Sequence, residues 1–141
     1  MTERTQTTLL VVDDEPDIRD TLAYRLSLEE RFDVVTAGNG LEALGAVRLH
    51  RPEVILLDVM MPGENGYRVA HAIREDEASG RLPRRALIFL VTARDLSDDP
   101  EREEIFLRFS GADAVIYKPF DLEVLVERLE RCLAGRLAAV G

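Results

Sequence analysis

Asp13 and Asp14 stand side by side at the end of the apolar run Leu9–Val12, and Asp58 directly follows Val54–Leu57. Thr92, with Ala93 behind it, closes the run Ala86–Val91, and Lys118-Pro119 follows Ala114–Tyr117. If the ends of these runs share one rim, three carboxylates, a hydroxyl and an ammonium converge there. Carboxylates so placed repel: two unit charges at 4 Å cost about 1 kcal/mol in water and about 4 kcal/mol at a protein surface. A charged residue directly after a buried strand is costly in its own right, which singles out Asp58. A hard divalent cation would remove the repulsion, and a few carboxylates, a backbone carbonyl and waters suit Mg²⁺. Lys118 adds a second positive charge.

The elements that must position these residues follow from periodicity and punctuation. The four runs, together with Val34–Ala37, are strand-length and rich in Val, Ile and Leu. Most are apolar at consecutive rather than alternate positions, as strands covered on both faces are. Helical patterns lie between them. Asp14 is expected to cap a first helix with Pro16 and Asp17 in its first turn and Ile18, Leu22 and Leu26 as its buried stripe. Asn39 with Glu42, Asn65-Gly66 after the Pro62-Gly63 turn, Asp99-Pro100 and Asp121 open the others. Val69, Ala70 and Ile73 face the core from the third, and Leu122, Leu125, Val126, Leu129 and Leu133 from the fifth. Gly111 and Gly135 are expected to stop the fourth and fifth helices. Strict alternation of five strands with five helices predicts a doubly wound α/β sandwich, in which ligands bind beyond the carboxyl ends of the strands. The basic trio Arg81, Arg84 and Arg85 in the loose stretch Asp76–Arg85 reads as a solvated loop.

Composition bounds the rest. The chain has 141 residues, 18 basic against 27 acidic, and a net charge of −9, with one cysteine and no tryptophan. That is one domain, long enough to bury roughly two thirds of its unfolded surface without a disulfide. Cys132 alone can make no internal bridge. No apolar run approaches the ~20 residues that span a bilayer, and the polar start Met1–Thr8 lacks a signal-peptide pattern, so a cytoplasmic location is expected. The acidic balance argues against a protein that tracks a nucleic-acid backbone and favours a cation or a basic partner.

The sequence resembles the receiver domain of bacterial two-component response regulators. The resemblance is carried by Leu9-Leu10-Val11-Val12-Asp13-Asp14-Glu15-Pro16, by Leu57-Asp58-Val59-Met60-Met61-Pro62-Gly63-Glu64-Asn65-Gly66, by Val91-Thr92-Ala93, and by Gly111-Ala112-Asp113 followed by Lys118-Pro119-Phe120. These occur in family order and span nearly the whole chain. The resemblance implies a flavodoxin-like (βα)5 fold with strand order 2-1-3-4-5, a receiver over residues 8–135, an N-terminal polar extension over 1–7 and a short tail over 136–141. It implies that Asp58 is the phosphoacceptor, served by a sensor histidine kinase or a histidine phosphotransfer protein. Asp13, Asp14, Asp58 and the backbone carbonyl of Met60 would hold Mg²⁺, and Thr92 and Lys118 would contact the phosphoryl oxygens. The chain would then be a signalling switch that catalyses only its own phosphorylation and dephosphorylation. It would act on a downstream protein, as a stand-alone chain or a piece of a larger regulator. A surface built from the fourth helix, fifth strand and fifth helix would carry the output and any homodimer. A cis peptide before Pro119 is expected, with a turn proline as the alternative.

Two features depart from the family pattern. Receivers commonly carry an aromatic residue three positions before the lysine, coupled to the hydroxyl at the end of the fourth strand; here Val115 stands there. The strand period puts Tyr117 on the same face, nearer the rim, where it is either a substitute for that aromatic or a cover for the edge of the fourth helix. The stretches Asp76–Arg85 and Arg94–Glu104 are also longer than usual. Phe106 and Phe109 are expected as core anchors, and His50 and His71 as surface or boundary residues. Two other classes share part of this pattern. A degenerate receiver would act as a phosphorylation-independent interaction module; retention of Asp13, Asp14, Asp58, Thr92 and Lys118 counts against it. An aspartyl-phosphate hydrolase would need an acid at position 60, which is Met60.

Overall fold

Five strands form one parallel sheet: β1 (Thr7–Val12), β2 (Phe32–Ala37), β3 (Val54–Asp58), β6 (Leu87–Thr92) and β7 (Ala114–Tyr117). Their order across the sheet is β2-β1-β3-β6-β7, the expected 2-1-3-4-5 pattern of a doubly wound fold. This computed structural model describes residues 6–61, 63–93 and 99–140, without the side chains of 136–140. The helices are α1 (Pro16–Ser27), α2 (Gly40–His50), α3 (Gly66–Ala78), α4 (Pro100–Ser110) and α5 (Leu122–Val140).

The consecutive apolar residues are explained by a core on each face. Leu10, Val12, Ile55 and Leu57 point to one side, where Ala43 and Val47 of α2 and Val69, Ala70 and Ile73 of α3 cover them. Leu9, Val11, Val54 and Leu56 point to the other, against Leu22 and Leu26 of α1 and Leu125, Val126, Leu129 and Leu133 of α5. Helix α4 is the most lightly held: Ser110 is its one buried residue among those described, while Phe106 and Leu107 pack partly on the first core.

Parallel pairing brings the strand ends together. Val12 pairs with Leu57, so Asp13 and Asp58 emerge beside each other. Asp58 in turn pairs with Val91, and Thr92 with Tyr117. The amide of Lys118 donates to the Thr92 carbonyl at 2.8 Å, extending the ladder by one residue. The Lys118-Pro119 peptide is cis, as expected.

Most helix starts are as anticipated. Asn39, Asn65 and Asp99 accept from the backbone amides of Glu42, Tyr67 and Arg102, and Asp121 from those of Glu123 and Val124. Gly111 ends α4 in the left-handed region, with φ 73°. Several expectations are corrected. Asp14 does not cap α1: Glu15 holds that position without a side-chain cap, and Asp13 Oδ1 accepts the Glu15 amide at 3.0 Å. Asp13 reaches two residues forward, the short-range turn open to any Asp, and bonds the amide of the residue before the helix rather than one in its first turn. Ile18 lies on the open edge of the α1 stripe and is 37% exposed. Gly135 does not stop α5, which continues through it to Val140; at an exposed position a helical glycine costs only about 1 kcal/mol. The expected 136–141 tail is therefore helical up to Val140, and β1 begins at Thr7, inside the expected 1–7 extension.

The basic trio lies on an exposed loop, as expected, and each of its guanidinium groups also has a carboxylate partner. Arg81 pairs with Asp76, Arg84 with Glu53 and Arg85 with Asp113, at 3.2, 2.7 and 2.8 Å. The stretch begins inside the last turn of α3, and its cations fasten that turn to the lower edge of the sheet. Of the Arg94–Glu104 stretch, residues 94–98 lie outside those described, as does Pro62 of the Pro62-Gly63 turn. A small antiparallel ribbon, β4 (Met60–Met61) with β5 (Glu64–Asn65), was not anticipated, because two-residue strands leave no periodicity to read.

Candidate phosphoacceptor site

Asp58 ends β3 with its side chain at the rim, and it is 4% exposed. One carboxylate oxygen each from Asp13, Asp14 and Asp58 fall within 4.8 Å of one another. Asp13 is buried and Asp14 half-buried. Lys118 Nζ closes the group from the other side, 3.3 Å from Asp13 Oδ2 and 3.6 Å from Asp58 Oδ1. Thr92 is fully buried at the end of β6, in the strand next to Asp58. All five residues singled out from the strand ends therefore lie on one rim.

Local structure holds Asp58 in place. The Val59 amide donates to the Val91 carbonyl at 3.0 Å, and the Gly66 amide to the Val59 carbonyl at 2.9 Å. The first turn of α3 thus lies directly against the end of β3. Only glycine permits that approach, because a Cβ at position 66 would collide with the carbonyl of Asp58 and the Cα of Val59. The Met60 amide hydrogen-bonds the Asp58 carboxylate, while the Met60 side chain is 65% exposed.

The electrostatics are unbalanced. Burial pushes the Asp58 carboxyl up to about 6; Lys118 and the Met60 amide pull it down, and Asp13 and Asp14 add to the rise. Burial pulls the Lys118 ammonium down, but Asp58 and Asp13 outweigh it and its pKa is raised. One lysine does not neutralise three carboxylates. The all-oxygen donor set and this residual negative charge fit a hard cation such as Mg²⁺.

The secondary features are partly as anticipated. Val115 is buried in the core beside α3. Tyr117 packs partly on the same core, and its hydroxyl donates to Glu103 Oε2 of α4 at 2.6 Å. Glu103 was missed, since nothing in sequence spacing links it to Tyr117. Phe106 stacks on Tyr67 with ring centroids 4.5 Å apart, whereas Phe109 is half-exposed and stacks on His71 at 5.1 Å, so only the first is a core anchor. His71 and His50 are exposed, as expected. No helix among the described residues is long and apolar enough to cross a membrane.

Comparison with known proteins fits this geometry. The chain is 37% identical over 126 residues to the probable transcriptional regulatory protein TcrX of Mycobacterium tuberculosis, covering 89% of this chain and 49% of that protein. It is 31% identical over 130 residues to protein PilH of Pseudomonas aeruginosa, covering 90% of this chain and 98% of PilH. The chain thus spans about half the length of TcrX and nearly all of PilH. The chemotaxis response regulator CheY4 of Vibrio cholerae superposes with a TM-score of 0.76 at 30% identity, covering 90% of this chain and 98% of that one. The profile of the response regulator receiver domain matches residues 9–130, from the strand that leads into Asp13 to beyond Lys118. With fold, rim and sequence in agreement over that span, the chain belongs to the response regulator receiver domain family.

Proposed function

We propose that this receiver is a phosphorylation-controlled switch that takes a phosphoryl group onto Asp58 from a phosphohistidine of a sensor histidine kinase or histidine phosphotransfer protein. The observation that carries the reading is the placement of Asp58, buried among two further carboxylates and 3.6 Å from the Lys118 ammonium. Such a carboxylate is a nucleophile whose charge is held at one place. An Asp58 oxygen forms the new bond to phosphorus while the bond from phosphorus to the histidine nitrogen breaks, its electron pair staying on the imidazole. Lys118 offsets charge on the phosphoryl oxygens, and the Thr92 hydroxyl at the neighbouring strand end donates to one of them. Asp13, Asp14, Asp58 and the Met60 carbonyl would hold Mg²⁺, which supplies positive charge against the phosphoryl group and the carboxylates.

The output is a change in the surface formed by α4, β7 and α5, read by a protein partner or by a second copy of the chain. The lightly buried α4 and its exposed Ile105 and Phe109 support that choice, because helices with few buried contacts rearrange at low cost. In this reading the chain is not an enzyme acting on a separate substrate, it binds neither nucleic acid nor membrane itself, and it works in the cytoplasm. Thermal unfolding with Mg²⁺ and beryllofluoride, a phosphoryl mimic, tests the site. A raised midpoint that is lost in Asp58→Asn is expected. No shift in the native protein would contradict the reading and favour a phosphorylation-independent interaction module.

A further inference from the structure

Helix α2 turns an apolar row to solvent. Leu41 and Leu49 are 82% and 76% exposed, the two most exposed large apolar side chains among the described residues. They stand four residues to either side of Gly45, which is exposed too and where an added Cβ would meet open space. Residues four apart lie along one ridge of a helix, so the three form a single row whose centre has no side chain. Glu42 and Arg48 stand three residues to either side of Gly45 and fall on opposite flanks of that row. Both are exposed, and both are held in place. The Glu42 carboxylate accepts from the Gly38 amide at 2.9 Å and from the Asn39 side chain at 3.1 Å, and Arg48 Nε donates to Asp76 at 2.9 Å. A carboxylate and a guanidinium so engaged still have hydrogen-bonding sites to spare.

About Gly45 the row is therefore symmetric in its leucines and opposite in its charges, which is what a contact between two identical surfaces requires. We propose that α2 is a self-association surface whose occupant is a second copy of this chain. Laying the two rows along each other crosses the helices at about 50°, the commonest packing class. A two-fold axis along the rows then sets Leu41 and Leu49 each against its own copy. The missing side chain at Gly45 lets the two backbones close at the crossing. On each flank Glu42 of one copy meets Arg48 of the other, so the contact carries two opposite-charge pairs. A uniformly acidic or basic partner would leave one flank mismatched, whereas α2 itself offers a cation opposite Glu42 and an anion opposite Arg48. Helix α3 lies between α2 and α4 on this face of the sheet, so the pairing leaves the α4, β7 and α5 surface open and does not depend on phosphorylation of Asp58. One helix face is smaller than a standard interface, so the dimer is weak, with a Kd of about 100 µM.

The test is sedimentation equilibrium of the unphosphorylated, metal-free chain from about 10 µM to about 1 mM. The native protein should pass from monomer to mostly dimer over that range. Leu41→Ser combined with Leu49→Ser changes only exposed side chains and should raise the Kd at least about tenfold without moving the thermal midpoint. Gly45→Leu should weaken the dimer to a similar degree; it favours the helix of the monomer, so a loss of folding cannot account for the result. Ile105→Ser, on the exposed face of α4, should dimerise as the native protein does. A native chain that stays monomeric throughout would overturn the proposal, as would a dimer that survives in the Leu41→Ser, Leu49→Ser variant. Loss of the dimer in Ile105→Ser would place the contact on α4 and overturn it as well. Each of these results leaves the reading of Asp58 as phosphoacceptor standing.

Discussion

The Tyr117 hydroxyl lies 2.6 Å from Glu103 Oε2 and ties the end of β7 to the first turn of α4. Tyr117 also pairs in register with Thr92, so a single residue joins the carboxylate rim to the most lightly buried helix. Tyr117→Phe should therefore release the start of α4 while leaving the core intact. Faster amide exchange around residues 102–105 and a loss of about 1 kcal/mol in urea unfolding are expected. Unchanged exchange there would mean that the aromatic packing of Phe106 on Tyr67 holds α4 without this bond.

Asp58 predicts a pH dependence with a definite sign. Its folded pKa of about 6 is above the ordinary carboxylate range, so the folded protein holds this proton more tightly than the unfolded chain. The resulting stability is fully present below about pH 4 and is lost as pH rises through about 6. In metal-free buffer the thermal midpoint of the native protein, relative to Asp58→Asn, should fall over that window. A constant difference between the two would contradict the burial of this carboxyl as the dominant cause.

Asp76 predicts the opposite sign. This buried carboxylate accepts from Arg48 at 2.9 Å and from Arg81 at 3.2 Å, joining α2, α3 and the turn that follows. The Arg48 hydrogen bond is the main cause that holds its pKa below the usual range. Stability from this contact is present above the ordinary carboxylate range and is lost as pH falls through it. Asp76→Ala should cost about 2 kcal/mol at neutral pH, measured by urea unfolding, and the gap should narrow below about pH 4. A gap that persists at low pH would assign the loss to packing.

What the sequence made legible follows from the physics of each element. Strands covered on both faces must be apolar at consecutive positions, so Leu9–Val12 and Val54–Leu57 announced themselves, and parallel pairing then obliged Asp13, Asp14 and Asp58 to meet. Caps with a side-chain oxygen before a helix were readable at Asn39, Asn65, Asp99 and Asp121 for the same local reason. What stayed hidden arose where a distant partner decides. Arg84 and Arg85 acquire carboxylates from the segments before β3 and β7, 31 and 28 residues away along the chain. Glycine often ends helices, yet α5 runs on through Gly135, where an added Cβ would meet open space. The Tyr117–Glu103 bond crosses from strand to helix, and no periodicity records it.

The central claim is that Asp58 accepts a phosphoryl group, and intact-mass spectrometry after incubation with acetyl phosphate and Mg²⁺ tests it most directly. The account predicts one added phosphoryl group on the native protein and none on Asp58→Asn. An unmodified native chain, or an adduct that survives in Asp58→Asn, would contradict it.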